Sequence, residues 1–173
     1  SDSLLDVTGF QPQLLNSVDE NEIESVTKDW AKIFLQVKHD GERRAIYITT
    51  DNITASNRRG LRTELNPSVH AALIKLQHTI YDSIIDCEDL GAQIMVFDVL
   101  RYRGMDIAKL SFAERVCYLK KFLMDVIAAG LNGTIGCDLP EEAHSVTHLK
   151  IFLDKARMAN AEGIVIRNGD AKY

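Results

Sequence analysis

Apolar residues along this chain fall into short period-two runs and two longer stripes of helical period. Residues 32–38 (KIFLQVK) and 43–50 (RRAIYITT) read as strands. Asp40-Gly41 between them tolerates tight-turn backbone angles, so a hairpin is predicted. Asn66-Pro67 opens a helix, Asn as cap and Pro at its first position, with Val69, Leu73, Leu76 and Ile80 on one face. Ser83 to Glu88 and Gln93 to Arg101 are strand-like, with Asp89-Leu90-Gly91 between them.

Ser111-Phe112-Ala113-Glu114 has the capping-box form, and Val116, Leu119, Leu123, Val126 and Ile127 supply the stripe of the helix it starts. Gly130 can end that helix in a left-handed cap. A short helix around Asn21 to Lys28 before Trp30, a strand near Thr134 to Cys137, a helix from about Glu141 to Met158 and a strand from Gly163 to Arg167 complete the pattern. Strands cluster in runs instead of alternating with helices. The predicted class is therefore α+β, antiparallel sheets with helices on their outer faces.

Composition narrows the class. With 173 residues, 46% hydrophobic and 26% charged, the chain can bury a substantial core. No apolar run reaches membrane-spanning length, so no membrane association is expected. Cys87, Cys117 and Cys137 show no metal-ligand spacing, which points to a reducing, intracellular setting, cytoplasmic or nuclear. A net charge of -5 argues against gripping nucleic acid with the whole surface. Yet Lys38, Arg43, Arg44, Arg58, Arg59 and Arg62 concentrate positive charge in one region.

That region holds the candidate chemistry, Lys38-x-Asp40-Gly41-x-Arg43. A lysine that attacks phosphorus must be neutral for part of the time and held still in an accessible place. A strand end followed by a turn provides the second condition. Taken alone the string also fits a surface hairpin. His144 and His148 stand four apart, a metal-ligand spacing, but no glutamate lies between them as in HExxH and no third ligand is evident.

Further pieces follow in order: Ser56-Asn57-Arg58-Arg59-Gly60, Asp86-Cys87-Glu88, Phe97-Asp98-Val99-Leu100 and Glu162-Gly163-Ile164-Val165-Ile166-Arg167. With the opening motif, this series resembles motifs I, Ia, III, IIIa and IV of the covalent nucleotidyltransferases, specifically the adenylation domain of ATP-dependent DNA ligases. Pro12-Gln13-Leu14-Leu15 and Trp30 resemble the lead-in to motif I. Cys87 stands where the family usually has Gly.

The resemblance implies an ATP-grasp-like nucleotidyltransferase fold, with ATP and magnesium as cofactors and nicked duplex DNA as partner. Lys38 would be the nucleophile, with Asp40 and Glu162 as the other catalytic residues. Gln36, Val37, Arg43, Arg58, Glu88, Phe97 and Arg167 would contact the nucleotide, and Glu88 and Glu162 would face the metal. Gln36 takes the place of a glutamate that reads adenine, and Phe97 would stack on the base. Phe97 as plain core, and Glu88 and Glu162 as ordinary strand-end carboxylates, remain the alternatives when each is taken singly.

Only eight residues separate Glu88 from Phe97, which suits a small viral or phage-type ligase, expected as a monomer. An NAD-dependent ligase would need a further domain before the nucleophile, which only 37 residues precede. The resemblance also leads one to expect a lysine-bearing motif V and an OB-fold beyond Tyr173, so residues 1–173 read as an adenylation domain truncated before motif V. The rivals are an RNA ligase or GTP-using capping enzyme of the same superfamily, and a catalytically silent nucleotide-binding module.

Overall fold

The computed structural model describes residues 23–173. The Pro12 to Leu15 lead-in and the first residues of the Asn21 to Lys28 helix lie outside them. The chain order is α1 (Ile23–Thr27), β1 (Ile33–Lys38), β2 (Glu42–Ile48), β3 (Ile53–Ser56), β4 (Arg62–Thr63), α2 (Pro67–Leu76), β5 (Ser83–Asp89), β6 (Ile94–Tyr102) and β7 (Met105–Asp106). Then come α3 (Phe112–Ala128), β8 (Ile135–Cys137), β9 (Glu141–Ala143), α4 (Val146–Met158) and β10 (Gly163–Asn168).

These strands form two sheets. The small one runs β10-β1-β9; the large one runs β4-β3-β2-β5-β6-β7, with β8 added beside β6. The class is α+β as the sequence predicts. All pairings are antiparallel except β6 with β8, which is parallel and so departs from the all-antiparallel expectation.

The predicted hairpin does not form. β1 pairs with β10 and β9, whereas β2 pairs with β3 and β5, so the Asp40-Gly41 turn carries the chain from one sheet to the other. Glycine is required there by space: a Cβ on Gly41 would lie 2.3 Å from the Asp89 carbonyl oxygen and 2.8 Å from Leu90 Cδ2.

Helices cover the outer faces. On the large sheet, Ile46, Ile48, Ile85, Cys87, Val96 and Val99 pack against Val69, Leu73 and Leu76 of α2 and Leu119, Phe122 and Val126 of α3. Each such fully buried side chain contributes about 1.5 to 3 kcal/mol. On the small sheet, Leu35, Ile164 and Ile166 pack against Leu149, Leu153 and Ala156 of α4, with Trp30 at the margin.

Helix ends follow their caps. Asn66 accepts from the Ser68 amide, and Ser111 from the Glu114 amide, each satisfying a donor the helix cannot. Gly130, just past α3, has φ of 71°, a conformation that favours glycine. Three expectations shift in detail. α2 ends at Leu76, leaving Ile80 buried beyond it; Ile127 faces solvent while Phe122 takes the core position; and Glu141 begins a strand, α4 being capped by Ser145.

Candidate active site

The inner faces of the two sheets are polar where the outer faces are apolar. Buried Gln36, Arg43, Asp86, Asp98, Arg115 and Arg167 meet between them. Six such groups cannot be buried without partners; Gln36 and Arg167 find theirs across the gap, while Arg43 is paired with Asp86 within the large sheet and Arg115 reaches Asp98 from α3.

At the mouth stand Lys38 and Glu162. Lys38 ends β1 opposite Gly163 of β10, which places Glu162 alongside, Lys38 Nζ lying 3.9 Å from Glu162 Oε1. Both side chains are nearly half exposed, so the pair is loose and leaves the amine accessible. Strand alternation puts Gln36 on the Lys38 face and sends Val37 to the opposite side, where it lines a cavity of about 260 Å³ with Phe152 and Ala156 of α4. Asp40 is exposed on the connecting turn.

A β-bulge forms the floor. Asp86 pairs with Asp98 and Cys87 with Val96, so Phe97 is the extra residue. Its carbonyl is satisfied from the other sheet, by Gln36 Nε2 at 3.0 Å and Arg167 Nη1 at 3.4 Å. Gln36 Nε2 also donates to the Asp138 carbonyl at 2.8 Å, and Arg167 Nη1 donates to Gln36 Oε1 at 3.2 Å. Both amide hydrogens of Gln36 are thereby committed. Phe97 as a whole is 5% exposed, with the Arg43 guanidinium carbon 5.3 Å from its ring centroid.

Two carboxylates hold the buried arginines. Asp98 accepts from Arg115 Nε at 2.9 Å and Arg167 Nη2 at 2.7 Å. Asp86 accepts from Arg43 Nε at 3.0 Å and from the Tyr173 hydroxyl at 2.7 Å. Arg44 pairs with Glu42 and lies 3.9 Å from Asp89. The concentration of arginines in the sequence is thus partly neutralised within the fold.

Glu88 is half-buried beside Arg43, Arg58 and His39; burial raises its pKa, and those three cations oppose the rise. His39 does more than fill a turn. Its Nε2 lies 2.9 Å from Asp138 Oδ2, and that hydrogen bond raises its pKa above 6.5 against the effect of burial. Cys87 points away into the large-sheet core, which explains why a side chain is accommodated at the position where glycine is usual.

The structure therefore gathers Gln36, Lys38, Glu162, Arg43, Glu88, Phe97 and Arg167 around one gap, with Arg58 near Glu88. Val37 and Asp40 point elsewhere. Sequence reasoning assigned no role to Asp86, Asp98, Arg115 or Asp138. The signal for two of them was present: Asp86 and Asp98 are charged residues inside the apolar runs IIDC and VFDVL.

Two sheets closed over a polar gap, with a lysine at its mouth, define a nucleotidyltransferase-type fold. Residues 88–173 match the family model described as ATP dependent DNA ligase domain, which assigns that part of the chain to the family. Similar solved structures include Pmar-Lig_Pre (TM-score 0.70, 15% identity, covering 88% of this chain and 42% of the other). A Chlorella virus DNA ligase-adenylate gives 0.65 and 17%, covering 94% and 61%. The ligase domain of M. tuberculosis LigD gives 0.62 and 17%, covering 83% and 50%. At these identities the likeness is one of fold, and the chain spans 42–61% of these relatives' length. No curated protein matches the chain in sequence.

Proposed function

We propose that this chain is the adenylating unit of an ATP-dependent DNA ligase and that Lys38 is its nucleophile. The observation that carries this reading is the placement of an accessible lysine, paired loosely with Glu162, at the mouth of the polar gap. Lys38 Nζ, after losing a proton, attacks the α-phosphorus of ATP. The N–P bond forms as the bond to the bridging oxygen breaks, and pyrophosphate departs. AMP then passes to a 5′-phosphate at a DNA nick, and the 3′-hydroxyl displaces it to seal the strand. The chemistry rests on positioning and charge neutralisation.

Phe97 offers its ring to the base at the floor, and Glu88 and Arg58 face the ribose and phosphates. Arg43 and Arg167 contribute charge from beneath while holding the floor through Asp86 and Asp98. Gln36 supports adenine recognition by fixing the backbone beside Phe97. Val37 contributes through its main chain, and Asp40 helps form the turn after Lys38.

Glu88 and Glu162 are oxygen donors of the kind magnesium prefers, and among the described residues no group of three or more His, Cys, Asp or Glu side chains is arranged to hold a metal ion. Magnesium is commonly held by one or two carboxylates together with substrate phosphates, the role these two side chains would take. When bound, magnesium would neutralise phosphate charge.

The test is mass spectrometry of the protein after incubation with ATP and magnesium. One AMP should add at Lys38 and disappear in Lys38→Ala. Persistence of the adduct in that variant, or labelling by GTP alone, would overturn the reading.

A further inference from the structure

The nucleophile's strand is tied on both sides of Lys38 to a single residue of the large sheet. Gln36, two residues before the lysine, donates to the Asp138 carbonyl at 2.8 Å. His39, one residue after it, lies 2.9 Å from the Asp138 carboxylate. Asp138 is in turn fixed by its own amide, which donates to the Val96 carbonyl at 2.7 Å and prolongs the parallel β6–β8 pairing. Both side chains of the His39–Asp138 pair are mostly buried, 25% and 15% exposed.

The position of this tie matters. The β1–β10 ladder ends at the Lys38–Gly163 pair, so beyond the lysine the backbone loses its ladder support. The lysine's own contact, 3.9 Å to Glu162 and half exposed, is too loose to place it. We propose that Asp138 is a positioning residue for Lys38, working through His39: it anchors the end of β1 to the large sheet, so that the amine meets the α-phosphorus at reacting distance. This rests on the adenylation reading above. A displacement of about 1 Å from attacking geometry can cost on the order of 100-fold in rate.

The test compares the single-turnover rate of lysyl-AMP formation with the equilibrium affinity for ATP in the wild type, Asp138→Ala, Asp138→Asn, His39→Phe and His39→Gln. Asp138→Ala and His39→Phe should each slow adduct formation by on the order of 100-fold while ATP affinity stays within about twofold. The double variant should be no slower than either single one, because the two residues act as a unit. Asp138→Asn and His39→Gln, which keep a hydrogen-bonding group, should recover part of the rate. They also carry the test if the more drastic variants do not fold.

Wild-type rates in the Asp138 and His39 variants, additive losses in the double variant, or loss of rate and affinity together would overturn the proposal while leaving the adenylation reading intact. A wild type that forms no adduct at Lys38 would overturn both.

Discussion

Asp98 on the large sheet and Arg167 on the small sheet form a 2.7 Å ion pair across the gap, 1% and 7% exposed at their side chains. Asp98 also receives Arg115 from α3, and the Arg167 guanidinium carbon lies 3.7 Å from the centroid of the Phe112 ring. One carboxylate thus joins both sheets and a helix.

Removing that carboxylate leaves two buried guanidinium groups short of a counter-charge. Asp98→Ala should therefore lower unfolding stability by about 3 to 5 kcal/mol, read from urea denaturation. A loss below about 1 kcal/mol would show that water replaces the carboxylate at little cost.

Gly41→Ala places a methyl group against backbone, since the nearest atom, the Asp89 carbonyl oxygen, would be 2.3 Å away. Relief requires moving the connection between the sheets. Destabilisation of at least about 1 to 3 kcal/mol is expected, together with slower adduct formation. Unchanged melting and unchanged labelling would show that the turn shifts freely.

Phe97 is both floor and candidate base platform, and two substitutions separate those roles. Phe97→Ala empties a buried site and should cost about 3 to 5 kcal/mol of stability. Phe97→Leu keeps most of the volume and should cost under about 1.5 kcal/mol. If the ring stacks on adenine, Phe97→Leu should still weaken ATP binding by about 1 to 3 kcal/mol, measured calorimetrically. Full ATP affinity in Phe97→Leu would return the residue to a purely structural role.

His39 gives a pH dependence of definite sign. Its folded-state pKa lies above 6.5, so the folded protein holds the proton more tightly than the unfolded chain. The stabilisation is fully present below about pH 6.5 and is lost as pH rises through the folded-state pKa. Histidine proton NMR should place the His39 midpoint above 6.5, and Asp138→Asn should bring it down. A wild-type midpoint at or below 6.5 would contradict the pairing.

Local pattern revealed the elements whose sequence determines them locally. The Asn66 cap, the Ser111 capping box and the apolar strands β5 and β6 were legible because each signal lies within a few residues of its effect. The pairing of β1 was not, because its partners β9 and β10 lie far along the chain, and the hairpin predicted between β1 and β2 does not form. Asp40-Gly41 announces a change of direction without saying which sheet receives the next strand. Lys38 and Glu162 were singled out by their motifs, and the structure places them 3.9 Å apart. The commitment of Arg43 to Asp86 and of Arg167 to Asp98 depends on the bulge at Phe97, a register detail that no local window contains.

The seam between the sheets behaves as a fixed gauge. Apolar faces can slide past each other with modest loss because their attraction has no direction. Hydrogen bonds from Gln36 and Arg167 to one carbonyl oxygen weaken steeply with misalignment. The separation of the two sheets at this seam is therefore set by bond lengths, and it holds for as long as those bonds are kept.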